Sequence, residues 1–397
     1  MQFSRNQIQI FSLIAVSMLA HVTMGGGRVA ASLFMLKYNG SEALAGVAYS
    51  SFSLLPAILS LHMGRWIDKV GPRRVMRISQ MLMIAGLFTP ALAPGLFTVL
   101  GAAIVCGLGF ASYMLAANVA VSIMPFEREG ERVGMLGWLA MGNSVAAVGG
   151  PSIAGFMIDH GGFASAYLTL AVIVCGSLLV SFCVDVPGGV GAQRKAQSGG
   201  GSIVRMVFSN PRLLRIYLLT MAISLAYDGF AFMTPVLGNE RGLSATTIGM
   251  ILSCFAVGTF AVRALLPWLS RRLSEWRMLS LAFALTAATF CLLPLVHNVY
   301  LQAALGFIFG LAAGVGQPNI LSLIYRAMPP GKAGEGAGLR AMMGNFMGLT
   351  GPSCFGALAG LFGAAPVFLI IGSIAGYSGW QARRGYRLSQ EEPERDV

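Results

Sequence analysis

The sequence predicts an all-α membrane protein, with twelve transmembrane helices in two pseudo-symmetric six-helix bundles, and three observations carry that prediction. First, 56% of the 397 residues are hydrophobic and only 11% are charged, against roughly 45–50% and about 25% in soluble domains. A crossing helix needs about 20 mostly apolar residues, so twelve of them with short loops occupy nearly the whole chain and leave no room for a soluble domain. Second, basic residues alternate from loop to loop. Third, the halves repeat one another at an offset of about 202 residues, as from Met141 to Met343.

Taken in order, the apolar runs place spans at residues 8–35, 43–63, 75–93, 97–123, 135–158 and 164–184, then at 214–236, 247–268, 278–296, 299–327, 337–360 and 365–381. The first run begins after Arg5 and has no small-residue cleavage site behind a short apolar region, so it reads as a retained helix. Between the sixth and seventh spans, Pro187 to Asn210 contains Gly-Gly-Val-Gly, Gln-Arg-Lys and Ser-Gly-Gly-Gly, the composition of a flexible linker. It divides the chain into an N-terminal bundle (1–186), a linker (187–210) and a C-terminal bundle (211–397).

The six cysteines, Cys106, Cys175, Cys183, Cys254, Cys291 and Cys354, lie in apolar runs without metal-binding spacings and read as small core residues. The 22 methionines raise Cu(I) as a cargo, with Met343 and Met347 four apart on one helix face. Most are scattered as pliable packing, however, and no metal site is assigned.

A net charge of +12 would in a soluble protein suggest nucleic acid. With the first loop taken as external, all Lys and Arg fall at cytoplasmic sites except Lys37 and Arg241 in external loops and Arg28 and Arg263 within spans. This positive-inside bias places both termini and the central loop in the cytoplasm, in an inner-membrane protein, and explains the basic charge without a nucleic-acid partner.

The repeat has a definite content. Met141-Gly142-Asn143, then Gly150-Pro151-Ser152 and Gly155, are answered by Met343-Gly344-Asn345, Gly351-Pro352-Ser353 and Gly356. Met124-Pro125 and Met328-Pro329 close the fourth and tenth spans, and Trp66 and Trp268 follow the second and eighth.

Between the second and third spans the chain reads Gly64-Arg65-Trp66-Ile67-Asp68-Lys69-Val70-Gly71-Pro72-Arg73-Arg74. This closely resembles the loop signature of the major facilitator superfamily of secondary transporters, and with the spans and the repeat the resemblance covers the whole chain. It implies the facilitator fold, alternating access, a small-molecule substrate and no cofactor. Gly64 would let helix two approach a neighbour, Gly71 would permit a tight turn, and Asp68 offers a carboxylate to the positive end of a helix. In the family the corresponding aspartate engages the cytoplasmic end of helix eleven and helps latch the outward-facing state. Arg340 stands there as a partner for Asp68, while Lys69, Arg73 and Arg74 keep the loop inside. The plainer alternative is a basic turn that only sets topology. The second copy has decayed to Leu266, Ser270 and Leu273, although Arg271, Arg272 and Arg277 keep it basic. On the fifth span, Gly149-Gly150-Pro151 with Gly155 is similar to the helix-five pattern of drug-exporting facilitators, or serves helix packing alone. The arginine expected on helix four of such exporters is replaced by Ala103.

Ionisable groups within spans cost roughly 2.5–3.5 kcal/mol on insertion scales and point to function. Asp228 lies mid-way along the seventh span and Arg28 in the outer third of the first. The repeat offset makes the two positions nearly equivalent, and in the family helices one and seven face each other across the central cavity. We therefore expect an ion pair across the pseudo-two-fold axis, with Asp228 carrying the proton. The alternative has Arg28 snorkelling to headgroups and Asp228 capping a break at Gly229. His21 shares a helix face with Arg28 and reads either as a proton relay or as packing. Tyr113 and Asn118 on helix four, Tyr227 beside Asp228, and Gln317, Asn319 and Tyr325 on helix ten are substrate-binding candidates, or else inter-helix hydrogen bonders.

No Gly-Lys-Ser nucleotide loop and no catalytic constellation occurs, which points to gradient-driven transport and not to an enzyme. The first expectation is proton-coupled export of a drug or metabolite. Proton-coupled uptake of a small organic anion countered by Arg28, and a facilitator-like receptor that moves nothing, are the alternatives. The expected partners are the lipid bilayer, protons and a small-molecule substrate, with the chain working as a monomer.

Overall fold

The computed structural model describes residues 5–124, 129–183, 203–329 and 332–391, and the elements in them are helices. The first four are α1 (Arg5–Asn39), α2 (Glu42–Val70), α3 (Pro72–Leu92) and α4 (Leu96–Ile123). The next run, Glu129–Cys183, kinks at Gly162, where φ is 75°, a value glycine reaches without a Cβ clash; its limbs, 129–161 and 163–183, are α5 and α6. After the short helix Ile203–Ser209 come α7 (Pro211–Glu240), α8 (Ala245–Leu269), α9 (Glu275–Leu292), α10 (Val299–Ala327), α11 (Ala333–Phe362) and α12 (Ala364–Glu391). Side chains of Ser41, Asn210, Ser244 and Asn298 accept first-turn N–H groups and fix where α2, α7, α8 and α10 begin.

Among the described residues nine stretches are long and apolar enough to cross a membrane, α5 and α6 counting together as one; α11 and α12 fall below that threshold. From Gly376 onward α12 turns to Tyr377, Ser378, Gly379, Trp380 and Gln381, which shortens its strongly apolar run. The helices also overrun the expected spans. α2 continues to Val70, so Trp66 and Asp68 lie on helix and the turn to α3 shrinks to Gly71. Hydropathy marks only the part of a helix in hydrocarbon, and polar turns beyond it remain helical. The end of the expected linker is likewise helical at Ile203–Ser209; residues 184–202 and Pro125 lie outside the described residues.

Each bundle has its own core. Leu13, Val16, Tyr113 and Val121 pack in the N-terminal one, and Ile216, Tyr217, Phe283 and Ile320 in the C-terminal one. A third cluster, with Phe34 and Phe52 on one side and Phe230, Phe309 and Phe368 on the other, runs through both. Cys106 belongs to it, whereas Cys354 is exposed, against the expectation that the cysteines are core. Glycine sets the closest helix approaches, and the repeat is visible in them. Gly107 on α4 presses on the backbone of Phe52 on α2, and Gly310 on α10 presses on Phe255 of α8 in the equivalent way.

Two related seams join the bundles on the charge-poor face, the one opposite the basic α2–α3 turn. In the first, α5 meets α8: Gly155 lies against the main chain of Ala245, and Gly249 against that of Pro151. In the second, α11 meets α2, with Gly356 against Glu42 and Gly46 against Pro352. A Cβ at any of these four glycines would overlap the opposing main chain. Hydroxyls pin both seams. Ser152 and Ser253 share a hydrogen bond at 2.6 Å, and the Ser353 N–H donates to Ser50 Oγ at 3.1 Å.

Asp159, one turn beyond Gly155, adds a latch to the first seam only. Its carboxylate accepts the N–H groups of Ala245 at 3.1 Å and Thr246 at 2.7 Å, and the Thr246 hydroxyl at 2.6 Å. It thereby satisfies the positive N-terminal end of α8 from the other bundle. The matching place in the second seam is taken by Gly360.

Overpacking costs about 1–3 kcal/mol, and at Gly249 that cost falls on the closed seam alone. Gly249→Val should raise the thiol-labelling rate of Ser152→Cys, in an otherwise cysteine-free chain, by about 5- to 150-fold. Asp159→Ala removes a helix cap valued at about 0.5–2 kcal/mol and should raise the same rate by about two- to thirty-fold. Unchanged labelling in either variant would mean that the seam does not control access.

Candidate functional site

The site forms where α1 and α2 of one bundle meet α7 of the other. Gly25 and Gly26 let α1 lie close against Pro151 and Gly150 of α5, which fixes the height and rotation of Arg28. α7 is a continuous helix through Gly229, so Asp228 does not cap a break there. Nor does Arg28 reach towards headgroups. Its Nη1 donates to Asp228 Oδ1 at 3.1 Å and to Tyr49 Oη at 3.2 Å, and its Nη2 donates to Ser53 Oγ at 3.2 Å. Tyr49 Oη in turn donates to Asp228 Oδ1 at 3.4 Å, and the guanidinium lies 4.7 Å above the Tyr49 ring centroid. The Arg28 and Asp228 side chains are 20% and 14% exposed, enough to meet water or a ligand from one side.

Arg28 borders a cavity of about 180 Å³, lined also by His21, Tyr49, Phe110, Tyr227 and Phe255, among others, while Asp228 stands behind Arg28 and Tyr49, outside that lining. Ligand pockets usually measure about 300–1,000 Å³, so in this conformation the space suits water or one small polar group. His21 meets Phe110 edge-on at 5.1 Å, and its buried Nδ1 has no hydrogen-bond partner among the described residues. Tyr227 packs edge-on against Phe255 at 5.2 Å. A second cation stands nearby: Arg263 on α8 donates to Ser144 of α5 and lies within electrostatic reach of His21 and Tyr227.

Other candidates lie elsewhere. Tyr113 is wholly buried inside the N-terminal bundle. Asn118 is exposed and returns its amide to Met114 O at 2.8 Å. Asn319 is buried and donates to Val315 O at 2.9 Å, and to the Met278 sulfur on α9 at 3.9 Å. The two amides satisfy their own helices in this state, because an amide in an apolar helix first finds the nearest acceptor, and Tyr113 is a packing group whose hydroxyl has no hydrogen-bond partner among the described residues. Gln317 and Tyr325 are exposed and outside the cavity lining.

The signature at the basic face is disengaged. Asp68 is exposed and makes no ion pair with Arg340, which is half-buried with Tyr217 and Tyr325 as its electrostatic neighbours. Arg74 and Lys69 are exposed, and Arg73 is partly buried. A Cβ on Gly64 would meet open space, so Gly64 serves no close approach here. Gly71, at φ 88°, does make the tight turn into α3. On helix five the pattern divides its work: Gly150 faces α1 within its own bundle, Gly155 faces α8 across the seam, and Pro151 touches both, its ring against Gly25 and its carbonyl against Gly249.

Sequence reasoning missed Tyr49, Ser53, Ser144 and Asp159. A signal existed for the first two, since Tyr49, Ser50, Ser51 and Ser53 crowd hydroxyls into an otherwise apolar span. Gly348 on α11 also escaped notice; its bare backbone borders Asp228 Oδ2 and Ser53 Oγ.

The chain resembles known proteins throughout. Multidrug resistance protein MdtG of Salmonella choleraesuis (strain SC-B67) is 23% identical over 369 residues, covering 90% of each chain. Its namesake from Dickeya zeae (strain Ech586) is 24% identical over 349 residues, covering 85% of this chain and 84% of that protein. In fold, the nucleoside transporter NupG superposes with a TM-score of 0.80 at 14% identity, over 95% of this chain and 100% of that one. A bacterial homolog of the human lysosomal transporter Spinster, inward-facing and unoccupied, gives 0.79 at 13% identity over 100% of both chains. The Major Facilitator Superfamily pattern fits residues 13–352 and again 216–395, and the chain belongs to that superfamily.

Proposed function

We propose that this multi-pass membrane transporter, which is not an enzyme, exports a small organic molecule in exchange for protons, with the Arg28–Asp228 pair as the coupling device. The observation that carries the proposal is that pair's position: it bridges the two bundles, its arginine borders a cavity, and it lies where closed seams on one face meet a disengaged signature on the other. Relatives named for multidrug resistance support export. With the basic face assigned to the cytoplasm of an inner-membrane protein by the charge bias, the closed seams on the other face support reading this arrangement as the cytoplasm-open side of the cycle. Substrate taken up from the cytoplasm would draw Asp228 off Arg28, loosen the bridge between α1 and α7, and free the charge-poor seams to part, whereas a proton taken up by Asp228 from the outer side would return the carrier and leave to the cytoplasm as the pair re-forms. Later contact between Asp68 and the Arg340 end of α11 would hold the opposite state.

In proteoliposomes with an internal pH dye and a panel of candidate substrates, the parent should show substrate-dependent proton movement, and Asp228→Asn should show none while still expressing and inserting. Unchanged proton-driven transport in Asp228→Asn would remove Asp228 from the mechanism.

One observation favours uptake of a small organic anion as a second reading. Arg28 and Arg263 both belong to the site region while Asp228 is the acid paired there, and Ser144 offers Arg263 only a neutral oxygen. If the cargo is anionic, Arg263→Gln should weaken a carboxylate ligand about 10- to 100-fold relative to its amide analogue, the range expected for a hydrogen bond to a charged group. Equal affinity losses for acid and amide would argue against an anionic cargo.

A further inference from the structure

Away from the central cavity, a groove of about 580 Å³ runs along the outside of the C-terminal bundle between α7, α11 and α12. We infer that it is a binding site for one anionic phospholipid of the leaflet at the basic face. Three features point to that ligand.

The groove extends on α7 from Pro211 to Leu225 and on α12 from Arg384 to Ile374. From the two arginines inward each wall runs ten residues, and at 1.5 Å each that is about 15 Å, half of a hydrocarbon core about 30 Å thick. The groove therefore spans one leaflet, the reach of one acyl chain. Beyond Arg215 the α7 and α11 side is apolar, with Leu218, Leu219, Ala222 and Met347, while α12 adds Gln381, Ser378 and Tyr377 before Ile374.

Both charges sit at the same end. Arg215 and Arg384 are close enough to repel one another, and neither has an acidic partner among the described residues. Two cations held together without a carboxylate suit a phosphate diester between them, and basic pockets between helices at this level are the expected receptors for anionic headgroups.

The flank of the groove is built for the water–lipid boundary. The Arg384 guanidinium lies 5.9 Å from the exposed Trp380 ring, and Tyr377 packs beside that ring at 5.7 Å. Gln381 donates to Tyr377 Oη at 2.7 Å, which leaves a polar edge at the same height. Amphipathic aromatic rings of this kind mark the headgroup level.

The test uses the full chain in nanodiscs of phosphatidylethanolamine and phosphatidylglycerol, followed by native mass spectrometry of the released protein. The parent should retain one phosphatidylglycerol in preference to phosphatidylethanolamine. Arg215→Gln/Arg384→Gln should lower that retention about tenfold or more, and Leu218→Trp, which fills the groove and leaves both arginines in place, should lower it too. Arg271→Gln/Arg272→Gln, elsewhere on the basic face, should keep the parent's retention. The site is overturned if the first pair retains phosphatidylglycerol like the parent, if the control pair loses it equally, if Leu218→Trp has no effect, or if the parent holds both lipids alike.

Discussion

An arginine and an aspartate share the interior of this protein between helices that belong to different bundles, and neither is tolerable there alone. Removing one partner of a buried pair costs about 3–5 kcal/mol, because the remaining charge is stranded. The Arg28–Asp228 contact is therefore more than a stabilising bond. It ties the arrangement of α1 against α7 to the charge on one carboxylate, and Tyr49 and Ser53 hold the arginine in place from α2. A proton on Asp228 changes which arrangement of the bundles is favoured, which is the condition that any coupled transporter has to meet.

Around that pair the two halves are built alike and finished differently. Gly155 and Gly249 make one seam, Gly356 and Gly46 the other, and in each a serine pair adds a hydrogen bond across the bundles. Across the α5–α8 seam Asp159 caps the helix end of the other bundle, and among the described residues the α2–α11 seam shows no such hydrogen-bonded cap. Only the N-terminal half keeps the Gly64–Arg74 signature for the opposite face. Each seam can hold the charge-poor face shut because glycine brings backbones together, and each can part because the polar contacts are few and local.

The fold was legible from composition, loop charges and the repeat, since a bilayer restricts a chain of this hydropathy to helices. Arg28 and Asp228 stood out because ionisable groups are rare in spans. Tyr113, Asn118 and Asn319 were misplaced as cavity groups because a polar residue on a helix carries no sign of which side it faces until packing is known. Asp159 was invisible for another reason. An acid near a loop looks solvated, and its role depends on a helix end 86 residues away in sequence. The seam glycines Gly46 and Gly249 could have been found, because they repeat within a residue or two of the offset of the motifs that were noticed.

The most direct test of the coupling claim is a spin-label distance across the α5–α8 seam. Labels at Phe156→Cys and Met250→Cys, both exposed positions, would be followed by pulsed electron paramagnetic resonance in nanodiscs from about pH 8 to about pH 5. The account predicts that acid shifts the parent from a short to a long distance, and that Asp228→Asn shows the long distance at every pH. An Asp228→Asn protein that keeps the parent's pH response would contradict it.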